Sequence, residues 1–349
     1  SVREPNFRNI CINGNMAVSQ RATSTASLTS GSNFVADRTM WQIGTAGTWT
    51  VSQDTDVPTG QGFASSLKLD CTTANGSLSA GSYGILVQRI EGQNLQYIKK
   101  GTASAESLTL SFWVKTNLTG TYQVNLNDSD NTRIIGTTYT VSVADTWEKK
   151  TLTFAGDTTG ALGNDNGNAL QVEWWFIAGS TYSGGAVPTS WEATVVTDRS
   201  AASVNLSSST SNYLNITGIQ LEAGSVATDF EVISFGQNLQ RCQRYYEKSY
   251  NYADPPATTG SGGSNGLQFG GATANIDATV LMSVRKRAAP TLTVYDLAGT
   301  SAKASYYSGS WNNGGAVAGS RAKETYVHVD TNIGSSTIVA WQYTAAAEL

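Results

Sequence analysis

The sequence predicts an all-β protein: a jelly-roll β-sandwich, then a short helix, then a second, smaller β-sandwich domain. Short apolar segments alternate with polar residues at a period of two, as on strands that bury one face. Turn clusters rich in Gly, Asn, Ser and Thr separate them at intervals of about 8–15 residues, the spacing of a sandwich. With 349 residues, the chain is long enough for two domains.

The first predicted domain, the jelly roll, covers residues 1–232. The segment LTLSFWVKT at 108–116 shows the pattern most clearly, with Leu, Leu, Phe and Val on one face. Polar Thr, Ser and Gly predict a loop at 23–33. The other strands predicted in this domain are 34–41, 48–53, 65–71, 83–90, 121–127, 138–143, 149–155, 169–179 and 213–222.

A linker helix is predicted within 233–250, because residues 235–248 contain no β-branched residue. Leu239, Cys242 and Tyr246 form its apolar stripe, which packs either on its own domain or on partner copies. The Pro/Gly/Ser-rich loop 251–266 opens the second domain, 251–349. The strands predicted in that domain are 276–284, 290–299, 301–311, 325–332 and 336–345.

The charge pattern argues against two classes of partner. The net charge is −4 and the sequence pI is about 5.1, so binding of nucleic acid by phosphate neutralisation is not expected. The densest basic cluster, Arg285-Lys286-Arg287, is expected to be a solvated strand end. No apolar segment reaches the length of a membrane helix, so no membrane partner is predicted either.

Residues that carry enzyme chemistry are sparse. The three cysteines, Cys11, Cys71 and Cys242, have no zinc or redox spacing and are expected to be free, buried thiols. The single histidine, His328, lies in an alternating strand segment and is expected at a solvent or interface position. No GxSxG elbow or GxxxxGK[ST] loop occurs. The sequence therefore predicts a non-enzyme with no catalytic residues and no cofactor.

Two weaker alternatives involve acidic residues. A glycosidase needs only two carboxylates, and Glu173 beside Trp174-Trp175 is the most interesting candidate, although strand alternation places it toward solvent. Calcium prefers oxygen-rich loops, which occur at 127–131, at Asp157 and at 164–166. None has the spacing of an EF-hand, so these residues are assigned to turns and no metal site is predicted.

Two aromatic clusters are the candidate binding residues, since aromatic faces stack on sugar rings while neighbouring amides and hydroxyls bind the sugar hydroxyls. In a strand, Trp174 and Trp175 point to opposite faces, so one is expected in the core and the other on an outer face or in a concave groove. Core packing and ligand contact both stay open for each cluster. The candidate carbohydrate-binding residues are Trp174, Trp175, Tyr182, Trp191, Tyr306, Tyr307 and Trp311.

Several segments together resemble a family of phage and prophage tail proteins. The most specific is ITGIQLEAGSVATDFE at 216–231, which continues into CQRYY at 242–246. Four others occur in the same order: NICINGNMAVSQR at 9–21, FVADR at 34–38, QRIEG at 88–92 and LSFWVK at 110–115.

This resemblance implies a jelly-roll domain similar to carbohydrate-binding modules, carried on a virion tail fibre, spike or related appendage. It implies a bacteriophage structural protein on the virion surface, homotrimeric, contacting other virion proteins and binding host-surface polysaccharide for host attachment. A purely structural decoration or adaptor protein is the alternative, and a polysaccharide depolymerase is a weaker one. The visible N-terminus has no signal-peptide pattern, so release by host lysis is expected.

The resemblance also bears on calcium. Modules of this kind often hold a structural calcium between an acidic residue after the first Asn-Gly and an Asp of the last strand. At the matching positions, this chain has Asn15-Met16-Ala17 and Asn215-Ile216-Thr217-Gly218, without a carboxylate. The resemblance therefore implies no calcium ion at that position.

Overall fold

The computed structural model describes residues 7–259, 266–270, 275–333 and 338–349, and within these ranges it contains nineteen β-strands and one α-helix. The chain divides into two compact units. Unit 1 comprises Thr23–Phe235 with the N-terminal residues up to Ser19 and with Leu349, and unit 2 comprises Gly236–Glu348 with Gln20–Ala22. The predicted fold class, all-β with a jelly-roll sandwich and a second domain, is confirmed.

The division between the units differs in position from the predicted domain limits. It falls between Phe235 and Gly236, three residues after the predicted end of the first domain. Apart from its first residue, Phe235, the helix lies in unit 2.

Unit 1 consists of antiparallel strands connected by loops and short 3₁₀ turns. The strands are β1 (Ser24–Phe34), β2 (Met40–Asp54), β3 (Ser66–Thr73), β4 (Tyr83–Glu91), β5 (Leu108–Thr116), β6 (Gly120–Asp128), β7 (Arg133–Val141), β8 (Glu148–Phe154), β9 (Asn168–Ala178), β10 (Glu192–Ala193) and β11 (Tyr213–Ala223).

The long strand β2 belongs to two sheets. Residues Met40–Gly44 pair with β4, and residues Thr48–Asp54 pair with β3. Between them Thr45 (φ 49°) and Gly47 (φ 83°) have left-handed backbone conformations, which are irregular within a strand. The strands form one continuous hydrogen-bonded series, β10-β7-β6-β9-β4-β2-β3-β11-β5-β8, with β1 paired to β2. We call the part from β10 to β2 the first sheet and the part from β2 to β8 the second sheet.

The core of unit 1 lies between these two sheets. The alternation predicted for β5 is confirmed, since Leu108, Leu110, Phe112 and Val114 are all buried core residues. The Phe112 ring, on the second sheet, makes edge contacts with two rings of the first sheet. The ring centroids are 5.1 Å from Tyr139 and 5.9 Å from Trp174, so the two sheets pack face to face.

Two predictions near the N-terminus are wrong. Residues 24–33, within the predicted loop 23–33, belong to β1 (Ser24–Phe34), which pairs along β2 with mostly exposed side chains. Residues 35–39, within a predicted strand, form the connection between β1 and β2, with Arg38 in a left-handed conformation (φ 71°). Backbone pairing with β2 outweighs the polar composition of β1, because strand propensity depends on neighbours.

Unit 2 begins with the helix and continues as strands. Its elements are α1 (Phe235–Gln243), β12 (Tyr246–Lys248), β13 (Leu267–Gly270), β14 (Asn275–Leu281), β15 (Thr291–Tyr295), β16 (Lys303–Tyr307), β17 (Trp311–Ala322), β18 (Tyr326–Asn332) and β19 (Ile338–Ala346). A helix is present as predicted, but it is shorter, and Tyr246 lies in β12 rather than on the helical stripe. Within the predicted loop 251–266, residues 260–265 lie outside the described residues.

Strand β19 organises unit 2. Its residues Ile338–Trp341 pair with β13, and residues Gln342–Ala346 pair with β15. The main strand order is β12-β19-β16-β17-β18-β14. Strand β17 was not predicted over its length, because its Asn, Gly, Ala and Ser residues give no apolar alternation.

The basic cluster at 285–287 departs from expectation. The Lys286 side chain is fully buried, and its Nζ lies 2.6 Å from a carboxylate oxygen of Glu247. Burial lowers the pKa of Lys286, although Glu247 partly opposes this shift. The expectation of a solvated strand end is therefore wrong for Lys286, because an acidic partner from β12 allows the charge to be buried.

The side chains of all three cysteines are buried. Among the described residues, no helix is long and apolar enough to cross a membrane.

Candidate functional site

The first sheet has an outer face, turned away from the core, that carries its own apolar cluster. Met40, Ile85, Val87 and Trp175 are buried together there. They come from β2, β4 and β9, whose intervening residues point into the main core. Apolar residues on an outward strand face indicate that something covers the face or binds to it.

Two half-buried tyrosines lie over this cluster. The rings of Tyr83 and Tyr182 meet edge to face with centroids 5.7 Å apart, and Tyr182 lies 5.3 Å from Trp175. We call the surface formed by Tyr83, Tyr182 and the half-buried Phe34, with Trp175 beneath, the outer aromatic face. Partly exposed rings therefore lie on top of the buried side chain of Trp175.

A glycine fixes the position of Tyr83. A Cβ atom at Gly44 would lie 2.5 Å from Cε1 of Tyr83, so this ring lies directly over the backbone of β2. Beside it, the amide of Gln42 donates a hydrogen bond of 3.1 Å to the hydroxyl of Ser32. This exposed amide–hydroxyl pair supplies polar groups next to the aromatic rings.

Next to the outer aromatic face lies Glu173, which is completely buried. Its Oε1 accepts hydrogen bonds from Arg199 Nη2 (2.8 Å) and Asn127 Nδ2 (3.1 Å). Its Oε2 accepts one from Trp175 Nε1 (3.0 Å). The Arg199 guanidinium also lies 5.0 Å from the centre of the Trp175 ring. The carboxylate is thus neutralised and bonded on both oxygens.

The expectation that Glu173 faces solvent is wrong. Alternation correctly keeps it out of the main core, but a covering segment, residues 182–204, lies over this part of the sheet. Gln123 donates a 2.7 Å bond to the carbonyl of Asp198, and Asn125 donates one of 2.7 Å to the carbonyl of Arg199. The covering segment leaves Glu173 inaccessible to a substrate.

The predicted aromatic residues of unit 1 separate into different roles. Trp174 lies in the main core and Trp175 on the outer face of the sheet, which confirms the expected opposite orientations. Both side chains are buried, and Tyr182 and Arg199 cover Trp175. Of this cluster, only Tyr182 and Trp175 come together in the outer aromatic face.

Trp191 lies elsewhere in unit 1. Its indole N–H donates a 2.7 Å bond to the carbonyl of Ala155, and its ring centre lies 5.0 Å from the ammonium of Lys100. These contacts anchor Trp191 in a group of loops rather than on the outer aromatic face.

The predicted cluster of unit 2 lies at the end of the β16–β17 hairpin. Tyr307 and Trp311 are directly opposite one another across the hairpin, with ring centroids 5.7 Å apart. Tyr307 is exposed and Trp311 is half-buried. Tyr306 is the neighbour of Tyr307 in the same strand and therefore points to the opposite face. The hairpin accordingly presents an aromatic pair rather than a cluster of three.

His328 lies on β18, half-buried. Its Nδ1 is 2.8 Å from the hydroxyl of Thr279, and its Nε2 contacts the carboxylate of Asp330, which also pairs with Arg321 at 3.1 Å. Burial tends to raise the pKa of Asp330, but His328 and Arg321 outweigh it and lower that pKa. Thr279 is exposed on an edge strand, so we assign the group to ion pairing rather than to a nucleophilic triad.

Sequence reasoning missed Tyr83, Gln42 and Arg199. A signal for Tyr83 was present in the segment YGILVQRI, where it shares an alternating face with Ile85 and Val87. For Arg199 no such signal exists, because it lies in an irregular segment whose path depends on the whole sheet.

Comparisons with known proteins give limited guidance. No known family profile matches the sequence, and no curated protein matches it either. Among solved structures, a putative sugar-binding protein from Bacteroides thetaiotaomicron is similar over 62% of this chain and 100% of its own, with 13% identity and a TM-score of 0.34.

Two further structures show a likeness of the same order. The family 11 carbohydrate-binding module of Clostridium thermocellum, in complex with a mixed-linked tetrasaccharide, matches over 59% of this chain and 99% of its own, with 9% identity and a TM-score of 0.27. The enzymatically active domain of tailspike protein 4 from bacteriophage CBA120 matches over 63% of this chain but only 22% of its own, with 14% identity and a TM-score of 0.32. At these values the likenesses carry no argument about function, which has to rest on the site itself.

Proposed function

We propose that unit 1 is a carbohydrate-binding domain and that a polysaccharide strand binds on the outer aromatic face. The observation that carries this proposal is the pair of half-buried rings, Tyr83 and Tyr182, which pack over the buried Trp175. The exposed amide of Gln42 and hydroxyl of Ser32 lie beside these rings. Aromatic rings take up the apolar faces of sugars, and amides and hydroxyls bind the sugar hydroxyls.

The charges near the site favour a neutral glycan. Glu173 and Arg199 neutralise one another next to the outer aromatic face. The named binding groups, which are tyrosine rings, the Gln42 amide and the Ser32 hydroxyl, are uncharged. A neutral polysaccharide would therefore bind without leaving an unpaired charge behind.

We further propose that the protein is a non-catalytic structural component of a bacteriophage virion, displayed on a tail fibre, spike or similar appendage at the virion surface. The segments at 9–21 and 216–231, which resemble phage tail proteins, support this assignment. Host-surface polysaccharide and other virion proteins would be its partners, and a homotrimer its assembly. The burial and full hydrogen bonding of Glu173 support a structural role for that carboxylate.

The test measures binding of the purified chain to immobilised β-glucan and galactan as neutral polysaccharides, and to polygalacturonate as an acidic one. We expect binding to at least one neutral polysaccharide, and a loss of about tenfold in affinity for Tyr83→Ala and for Tyr182→Ala. Tyr97→Ala is the matched control, because Tyr97 is an exposed tyrosine outside the outer aromatic face. It is expected to bind like the wild type.

Three results would contradict the proposal. Binding that is unchanged in both Tyr83→Ala and Tyr182→Ala would show that the outer aromatic face is not the site. No binding to a panel of host-surface glycans would favour a purely structural decoration or adaptor role. Cleavage of a polysaccharide by the purified wild type would instead establish a depolymerase.

A further inference from the structure

A buried lysine occupies an oxygen-lined position in unit 1. The Nζ of Lys100 contacts a carboxylate oxygen of Asp128 and lies 2.9 Å from one of Asp157. It also donates hydrogen bonds to the carbonyl oxygens of Thr159 (3.1 Å) and Gly160 (2.8 Å). All three charged side chains are at most 3% exposed.

The turns around Lys100 place its ammonium there. Lys99 has a left-handed backbone conformation (φ 54°), and so does Gly101 (φ 85°), whose N–H donates a 2.8 Å bond to the carbonyl of Asp157. A Cβ atom at Gly101 would lie 2.5 Å from the backbone nitrogen of Ala161. The chain therefore passes so closely that only a glycine fits after the lysine.

The charges of the group balance. Arg133 binds Asp157 through Nε (2.7 Å) and Nη2 (3.1 Å), so two cations face two carboxylates. Burial opposes ionisation of Asp157, but hydrogen bonds from Arg133 and Lys100 outweigh it and lower the pKa of this carboxyl. The ring of Trp191 lies 5.0 Å from the ammonium and adds a cation–π contact.

One carboxylate comes from the end of β6, and the other carboxylate and two backbone carbonyls come from the loop after β8. Carboxylates and backbone carbonyls are the kind of oxygen ligands that calcium takes in proteins. We propose that Asp128, Asp157 and the carbonyls of Thr159 and Gly160 form a cation site whose resident cation is the ammonium of Lys100. The lysine links the end of β6 to the loop that follows β8. Removing the ammonium is expected to convert the position into a weak site for a hard divalent cation, Ca²⁺.

The test compares Lys100→Ala with Lys99→Ala, which removes the adjacent, exposed lysine. We expect Lys100→Ala to lower the melting temperature by about 10 °C and Lys99→Ala to have little effect. About 10 mM CaCl₂ should restore at least half of the loss in Lys100→Ala. Calcium should not raise the melting temperature of Lys100→Met, because the neutral methionine side chain still fills the position of the lysine.

Terbium provides a direct measure of occupancy, because a tryptophan close to bound Tb³⁺ sensitises its emission. Lys100→Ala should show saturable Tb³⁺ emission that Ca²⁺ displaces and that an added Trp191→Phe change weakens. The wild type should show none at this position. The cation site is disproved if Lys100→Ala is as stable as Lys99→Ala, or if calcium neither stabilises it nor competes with terbium.

If Lys100→Ala does not fold in the absence of metal, a refolding experiment tests the proposal instead. Refolding is then compared in CaCl₂ and in NaCl of equal ionic strength. Recovery of native fluorescence only with calcium supports the proposal. Recovery in neither solution, with Lys100→Met folding in both, shows that the side chain acts through packing and overturns it.

Discussion

At the scale of single residues, the most informative feature of this chain is where its few charges lie. Glu173 and Lys286 are both fully buried, and each has an oppositely charged partner. A buried charge without such a partner is costly, so the partners determine whether these positions are stable. Substitution of these residues therefore tests the structure directly.

Glu173→Gln is expected to destabilise unit 1 by about 2–4 kcal/mol. The change leaves Arg199 without its counter-charge, and in one amide orientation an N–H₂ group would face the Trp175 N–H. Denaturant unfolding followed by tryptophan fluorescence measures the loss. Glu106→Gln is the control, because its ion pair with the half-exposed Lys99 contributes less than about 1 kcal/mol. Equal effects of the two substitutions would refute the structural role of Glu173.

Because the pKa of the Tyr250 hydroxyl is raised in the folded protein, we expect stability to fall at alkaline pH. Burial raises its pKa from 10.0 to about 12, with smaller contributions from Tyr295 and Asp296, although the Ala257 N–H that bonds its hydroxyl opposes the shift. The folded protein therefore holds this proton more tightly than the unfolded chain does. The resulting stability is complete below pH 10 and is lost as the pH rises through 12.

The free energy of unfolding should decrease between pH 10 and pH 12. This decrease should be smaller in Tyr250→Phe than in the wild type, by about 2–3 kcal/mol. Urea unfolding at a series of pH values measures this difference. Tyr97→Phe, which changes an exposed tyrosine, should keep the wild-type slope. A Tyr250→Phe slope identical to that of the wild type would contradict the assignment.

At the scale of elements, strand β2 connects the fold to the proposed site. It contributes to both sheets, and its Gly44 lies beneath the ring of Tyr83. Both roles follow from the register of β2 with β4, which pairs Gly44 with Tyr83. The position of the ring is therefore a property of strand pairing rather than of a flexible loop.

Gly44→Ala is expected to reduce polysaccharide binding about tenfold while the protein remains folded. The new methyl group would meet the far end of the Tyr83 ring, which moves more easily than the backbone. Gly81→Ala is the matched control, because a Cβ atom there meets no atom within 4 Å. The prediction is tested by measuring the affinity of both variants for the same glycan. Undiminished binding in Gly44→Ala would show that the ring position is not required.

At the scale of the whole molecule, the two units have separate cores, and labelling of the cysteines in each unit measures the unfolding of that unit. Cys11 and Cys71 lie in unit 1, and Cys242 lies in unit 2. All three are buried, and burial with the nearby Asp70 raises the pKa of Cys71. Thiolate formation and access, which labelling needs, are both disfavoured in the folded protein.

Ellman's reagent should therefore label no thiol of the native protein and all 3 after denaturation. Mass spectrometry at increasing denaturant assigns the label to one unit or the other, and Cys242→Ala removes the signal of unit 2. Rapid labelling of Cys11 or Cys71 in the absence of denaturant would contradict the burial of these side chains.

The sequence by itself determined the all-β class, most strand positions and the inward face of β5, because period-two alternation is a local property. It also indicated aromatic residues such as Tyr182 as binding candidates. Only the tertiary structure decided that Trp174 and Trp175 are both covered, that Glu173 is buried under the segment 182–204, and that Tyr83 lies over Gly44. Burial depends on which distant segments meet, and alternation within a single strand carries no information about that.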